Sequence, residues 1–185
     1  MRKFICISGK AQNGKDTVAN LLKSELESQK YSVLIIHQAD LLKFICKNYF
    51  GWNGEKDDYG RTLLQKVGTD VIRQKSPDFW VDFIERVTAF FDGSWDYILV
   101  PDTRFPNEIE RLRTQTSEVI HVRITRPDFL SPLSPEQQKH PSETALDNTV
   151  ADYNIINDDG LDSLQKKIKN LINKILEAET NEKAR

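Results

Sequence analysis

A chain of 185 residues with 29% charged side chains and a net charge of -2 has the material for one sizeable core and no electrostatic bias toward polymeric nucleic acid or an anionic membrane. Its two cysteines, Cys6 and Cys46, follow no disulfide or metal-ligand spacing and read as free, buried thiols of a reducing compartment. No apolar run approaches the roughly 20 residues of a spanning helix, and Met1-Arg2-Lys3 leads straight into an apolar run, so a soluble, cytoplasmic, single-domain protein is expected.

The first element is an apolar strand over residues 4–7. It runs into Gly9-Lys10-Ala11-Gln12-Asn13-Gly14-Lys15-Asp16-Thr17, and a helical pattern follows at Val18, Leu21, Leu22 and Leu26. Strand, glycine-bracketed loop and helix are the context of a P-loop. Gly9 and Gly14 let the backbone turn tightly so that N–H groups point inward at phosphate oxygens. The helix N-terminus adds a positive dipole end and Lys15 a mobile cation. Position 16 departs from the usual pattern, which has a hydroxyl there to reach Mg²⁺. Here Asp16 offers a hard carboxylate oxygen, and Thr17 brings the hydroxyl one step later.

Residues 32–37 form a second, nearly continuous apolar run, the mark of a strand buried on both faces in a parallel sheet. Asp40 then stands at the entrance to a helical pattern at Leu41, Leu42 and Ile45. It reads equally as an N-cap or as an acid at the ligand-binding carboxyl edge of the sheet. After a polar loop over residues 51–58, one helix shows Leu63, Leu64, Val67 and Val71 on a face, with Arg61, Gln65 and Arg73 outside it. A second helix is expected from Ser76-Pro77, with Phe79, Trp80, Phe83, Ile84, Val87, Phe90 and Phe91 as a core stripe and Trp80 open to another role. Small-molecule kinases of this architecture place an acceptor pocket between their second and third strands. Arg61 and Arg73 suit one because a guanidinium grips phosphate bidentately.

The third strand signal, residues 96–102, ends in Asp102, placed to hold Mg²⁺ or its waters opposite the P-loop, or to cap the next helix. Arg104 lies within reach of a transferring phosphoryl group or of a nearby acid. A fourth strand over residues 118–124 precedes a segment of four prolines, Pro127, Pro132, Pro135 and Pro141, read as a lid over about 125–143 with Arg123 or Arg126 at its root. His140 reads as a lid or substrate contact, and Ser142 as the N-cap of a short helix through Leu146. A last strand over residues 153–157 turns at Asp158-Asp159-Gly160 into an amphipathic helix with Leu161, Leu164, Ile168, Leu171, Ile172 and Ile175 on one face. A charged, frayed tail is expected from about Glu177. Five buried strands alternating with helices give a three-layer α/β domain with a parallel sheet.

Six stretches resemble, in order and across nearly the whole chain, the P-loop deoxynucleoside monophosphate kinases of phage and bacterial type, with animal-type phosphomevalonate kinase as a cousin. They are the loop from Gly9 to Thr17, Ala39 to Lys43, Arg61 to Thr69 with Arg73, Asp102 to Glu108, His140 to Glu143 with Leu146, and Asn157 to Gly160. Asp16 in place of the hydroxyl is itself similar to this family. The resemblance implies a nucleoside monophosphate kinase-like fold with a helical acceptor-binding insert at about 40–92. It also implies transfer of the γ-phosphoryl group from ATP·Mg²⁺ to a (deoxy)nucleoside monophosphate. Gly9, Lys10, Ala11, Gln12, Asn13, Gly14, Lys15, Asp16, Thr17, Asn157 and Gly160 would bind ATP, and Asp16, Thr17 and Asp102 would neighbour the metal. Lys15, Asp16, Asp102, Arg104 and Arg126 would serve catalysis. Asp40, Lys43, Arg61, Gln65, Arg73, Trp80, His140 and Glu143 would face the acceptor. Alternatives are a kinase for another phosphorylated small molecule, phosphomevalonate- or dephospho-coenzyme-A-like, and a non-catalytic nucleotide-binding module. A homodimer is left open.

Overall fold

The computed structural model describes residues 2–113 and 117–183. Strand β1 (Arg2–Ser8) lies at the centre of a five-stranded sheet, and alternation along it sorts the core. Ile5 and Ile7 point to one face, where α1 (Lys15–Ser28) and α8 (Gly160–Lys183) bring Val18, Leu22, Leu164, Ile168 and Ile172. Phe4 and Cys6 point to the other, against Val81 and Ile84 of α4 (Phe79–Phe90) and Ile109 and Leu112 of α5 (Pro106–Leu112). Both faces are covered, so the middle of β1 and the strand beside it over Tyr97–Val100 are buried without alternation.

The remaining strands are β2 (Val33–Ile35), β3 (Tyr97–Val100), β4 (Ser117–Thr125) and β5 (Tyr153–Ile156). Their order is β2-β3-β1-β4-β5, and every pairing is parallel, with Phe4 opposite Ile98 on one side and Val119 on the other. The chain leaves β1 toward the β2 edge and leaves β3 toward β4. The crevice of this switch point therefore opens between the loop after β1 and the loop after β3, the place where open α/β sheets bind ligands.

Between β2 and β3 the chain builds a small helical insert from α2 (Gln38–Tyr49) and α3 (Asp58–Gln65), the latter continuing as a π-helical segment, Lys66–Arg73. The insert has its own core of Cys46, Trp52 and Val67, with Leu42, Leu64 and Ile72 packed against it. The widened helix corrects the expected apolar face. A π-turn brings residue i over i+5, so Ile72 follows Val67 into the core while Val71 turns out to 42% exposure.

Other boundaries also shift. Helix α2 starts at Gln38, before Asp40, because Asp102 caps it from β3's end: its carboxylate accepts from the Gln38 amide at 3.0 Å and the Ala39 amide at 2.8 Å. Helix α4 starts at Phe79 rather than Ser76-Pro77. Its buried face is Trp80, Val81, Ile84 and Thr88, whereas Phe79, Phe90 and Phe91 of the expected stripe are exposed. The proline-rich lid is not irregular: it holds α6 (Pro135–Lys139), capped by Ser134, and α7 (Pro141–Thr144). The cap of α7 is His140, whose Nδ1 accepts from the Ser142 amide, and not Ser142 itself. Arg123 stays below the lid, donating to the carbonyls of Leu146 and Thr149. Leu161 is exposed. The tail beyond Glu177 continues α8 as far as Lys183 instead of fraying, because Glu179 accepts from Tyr97 Oη at 2.8 Å and pairs with Lys3. Both cysteines are free and buried, as expected, and among the described residues no helix is long and apolar enough to cross a membrane.

Candidate active site

The loop after β1 is shaped by its glycines. Gly9 has φ +150°, and a Cβ there would sit 2.4 Å from the Ile124 carbonyl oxygen, so only glycine lets the loop lie this close to β4. Gln12 (φ 61°) and Gly14 (φ 95°) are both left-handed, a backbone that gathers N–H groups into an anion-binding concavity ahead of α1. Asn157 closes the rear of the loop, its Nδ2 donating to the Asn13 carbonyl at 3.0 Å.

Lys15 folds back over this loop. Its Nζ donates to the carbonyls of Gly9 and Lys10, both at 2.9 Å. Burial, reinforced by the neighbouring Arg104 charge, pulls its pKa down to about 7. The loop is meanwhile held by the lid. The Glu143 carboxylate accepts from the Ala11 amide at 2.9 Å and from Arg104 Nη1 at 2.6 Å. Lys10 Nζ donates to the Glu143 carbonyl at 2.6 Å and pairs with Asp147. Glu143 thus places a carboxylate on a loop amide and an arginine, donors of the kind a nucleotide phosphate would use.

At the mouth of α1, Asp16 Oδ1 lies 3.0 Å from His37 Nε2. That hydrogen bond holds the Asp16 carboxyl below the ordinary range and lifts the His37 imidazole above its own. Asp16, Thr17 and Asp102 all line the cleft. Two carboxylates and a hydroxyl are the hard oxygens that fit a nucleotide-bound Mg²⁺, an ion that takes one or two protein ligands and fills its octahedron with phosphates and water.

Two cavities meet at this loop. The larger, of about 700 Å³, runs from the P-loop to the helical insert. The smaller, of about 490 Å³, lies behind the loop, between the start of α8 and the root of the lid. Gln12, Gly14 and Thr17 line both. Of the donor-side residues expected from sequence, Ala11, Lys15 and Asp16 also line the larger cavity, whereas Asn157 and Gly160 line the smaller. Gly9, Lys10 and Asn13 line neither; Asn13 turns its side chain inward, donating to the Ile124 carbonyl at 3.2 Å.

On the acceptor side, Lys43, Arg61, Gln65, Arg73, Trp80 and Glu143 line the larger cavity. Asp40 does not; it pairs with Lys43 on the surface of α2, at 3.0 Å. His140 does not either, its Nε2 lying 3.3 Å from Asp70. Arg104 faces the larger cavity, but Arg126 lies in the smaller one, its guanidinium 4.5 Å from the Phe129 ring, and so at the far end of the loop from Arg104.

Several residues of the larger cavity carry no sequence assignment, Glu108, His37 and Gln38 among them. Glu108, 1% exposed, accepts from the amides of Arg104 at 2.7 Å and Phe105 at 3.1 Å and pairs with Arg73, which also lies 3.9 Å over the Phe105 ring. Burial raises the Glu108 pKa against the pull of Arg73. His37 and Gln38 line the cavity at the carboxyl end of β2. Their position at that edge was the only signal, since neither residue type is marked by a motif.

The parallel order, the P-loop geometry and the paired cavities define a P-loop kinase fold. In keeping with this, dephospho-CoA kinase from Campylobacter jejuni superposes with a TM-score of 0.51 over 97% of this chain and 100% of its own, at 15% identity. The sequence model of the deoxynucleotide monophosphate kinases matches residues 45–168, about two thirds of the chain, and the chain belongs to that family. Deoxynucleotide monophosphate kinase of Enterobacteria phage T4 is 31% identical over 118 residues, 60% of this chain and 44% of its own length. Deoxynucleoside-5'-monophosphate kinase of Escherichia phage T5 is 31% identical over 125 residues, 63% of this chain and 47% of its own. The chain thus spans less than half the length of these phage relatives, and the family match begins beyond the P-loop.

Proposed function

We propose that the chain transfers the γ-phosphoryl group of ATP to a nucleoside monophosphate, most naturally a deoxynucleotide, giving the diphosphate. The observation that carries this reading is the P-loop wall shared by two cavities, which gives one nucleotide a place on each side of a single phosphate-binding loop. ATP would put its base and ribose by Asn157 and Gly160 and its phosphates along the loop amides. The monophosphate would enter the larger cavity, with its phosphate toward Arg61, Arg73 and Lys43.

In this reading Lys15 leaves the Gly9 and Lys10 carbonyls for the phosphates, and Arg104 exchanges the Glu143 carboxylate for the phosphoryl group in flight. An oxygen of the acceptor phosphate attacks the γ-phosphorus in line while the bond to the bridging oxygen breaks and ADP departs. A phosphate monoester is largely ionised near neutral pH, so no general base is needed, and positioning with charge stabilisation supplies the rate. Bound Mg²⁺, near Asp16, Thr17 and Asp102, would neutralise phosphate charge. The free thiols fit the reducing cytoplasm expected for such an enzyme.

The test is a panel of nucleoside and deoxynucleoside monophosphates with ATP and Mg²⁺, scored for diphosphate. Formation of diphosphates from a subset, with Arg61→Ala raising the acceptor KM by about tenfold or more, supports the reading. ADP released at one slow rate with every acceptor or none contradicts it.

A further inference from the structure

We infer that Gln38 reads the hydrogen-bonding edge of the acceptor's nucleobase. This rests on the monophosphate kinase reading and adds to it the residue that sees the base. Gln38 is 5% exposed, and its Nε2 and Oε1 are the only buried side-chain polar atoms among the described residues that have no hydrogen-bond partner. A carboxamide buried in this way loses its water and gains nothing from the protein, so the native fold retains it against a penalty. Gln38 belongs to the cavity wall, and a turn of its side chain toward the cavity would let the occupant complete it.

The position of Gln38 is fixed. It is the first residue of α2, and its amide is held on Asp102 Oδ1 at 3.0 Å, so its backbone is pinned at the sheet edge between the P-loop and the helical insert. It lines the larger cavity together with Leu42, Leu64 and Trp80, an apolar wall. The arginines and lysine of the same cavity are the natural partners of a phosphate. A neutral carboxamide matches something else. Phosphate oxygens would use only its NH₂ and leave Oε1 bare; a metal-bound water would use only Oε1. A nucleobase edge sets a donor beside an acceptor and satisfies both atoms at once, while its faces suit the apolar wall. No protein group holds the carboxamide in one orientation, so either flip is available and the site suits more than one base.

The experiment compares wild type with Gln38→Leu, which keeps the bulk and removes the hydrogen bonds, and with Gln38→Glu, which keeps the shape and removes the donor. KM and kcat are measured for dAMP, dGMP, dCMP and dTMP with ATP and Mg²⁺. Deoxyribose 5-phosphate serves as a base-free ligand in thermal-shift binding. Gln38→Leu should raise the KM of the best acceptor by about tenfold and flatten the ranking of bases. It should leave ATP affinity and deoxyribose 5-phosphate binding unchanged, and the ligand-free protein should melt no lower than wild type because an orphaned amide has been removed. Gln38→Glu should reorder the bases. An unchanged ranking and KM in both variants overturns the inference. So does a ligand-free Gln38→Leu protein that melts several degrees lower with its acceptor kinetics intact, since that marks a water-satisfied structural amide. A wild-type chain that binds ATP and phosphorylates no monophosphate overturns the kinase reading and this one together. An active wild type with indifferent variants overturns this one alone.

Discussion

Lys15 is a cation held in a place that disfavours its charge: nine-tenths buried, closed on two backbone carbonyls, its pKa near 7. Such a lysine contributes little to the ligand-free fold and waits for an anion. Lys15→Ala should therefore lower kcat by about 10²–10³-fold, the scale for losing one preorganised electrostatic donor, without lowering the melting temperature of the free protein. A large loss of stability would show that the lysine is structural. Gly9 acts through the backbone. Gly9→Ala combines positive φ with a Cβ 2.4 Å from the Ile124 oxygen, whereas Gly160→Ala (φ +76°) meets open space. The first should cost about 2–4 kcal/mol in urea unfolding and the second about 1–2 kcal/mol; equal costs would mean that the loop does not press on β4 as described. Beside Lys15, His37 and Glu108, His121 contributes one part of the pH dependence. It is 1% exposed, its Nε2 lies 2.8 Å from Ser8 Oγ and its Nδ1 3.3 Å from the Val150 carbonyl, and burial lowers its pKa. With the folded value below the unfolded one, the unfolded chain binds the proton first. Stability contributed by neutral His121 is thus complete above the ordinary histidine value of about 6.5 and declines as pH falls below it. His121→Gln should make the melting temperature fall less steeply as pH drops below about 6.5; an unaltered profile would place the titration elsewhere.

At the scale of elements, the lid and the P-loop share a carboxylate. On the proposed function, ATP entering the loop would have to move Glu143 off the Ala11 amide and off Arg104. The Lys10–Asp147 pair beside it is about half exposed and so weak. Asp147→Asn should shift ATP affinity by less than about fivefold, while Glu143→Ala should tighten ATP binding by a larger factor, read by calorimetry. Weaker ATP binding in Glu143→Ala would instead assign the carboxylate a direct part in holding the donor. Elements whose signal is local were legible in the sequence. The apolar strands, the glycine-bracketed loop and the amphipathic helices announce themselves through periodicity and turn chemistry. What was not legible comes from distant partners. Asp102 caps α2 from another strand, Glu179 pins the tail through Tyr97, and Glu108 and Glu143 each join parts of the chain tens of residues apart or more. The π-helical segment escaped because its register is tied to packing: the Gly68 carbonyl accepts from Trp80 Nε1 at 3.0 Å, a bond between two helices.

At the scale of the molecule, a parallel sheet puts the P-loop, Asp102 and the start of α2 on one edge. The helical insert and the lid enclose that edge from two sides. The site residues foreseen from sequence divide accordingly, Asn157, Gly160 and Arg126 behind the loop and Arg61, Arg73, Trp80 and Arg104 before it. The account stands or falls on two nucleotides occupying these spaces together. The most direct measurement is calorimetric binding of a deoxynucleoside monophosphate to the chain saturated with a non-hydrolysable ATP analogue and Mg²⁺. The account predicts one equivalent bound, with an affinity no weaker than for the free protein. Competition, in which the analogue abolishes monophosphate binding, would contradict it.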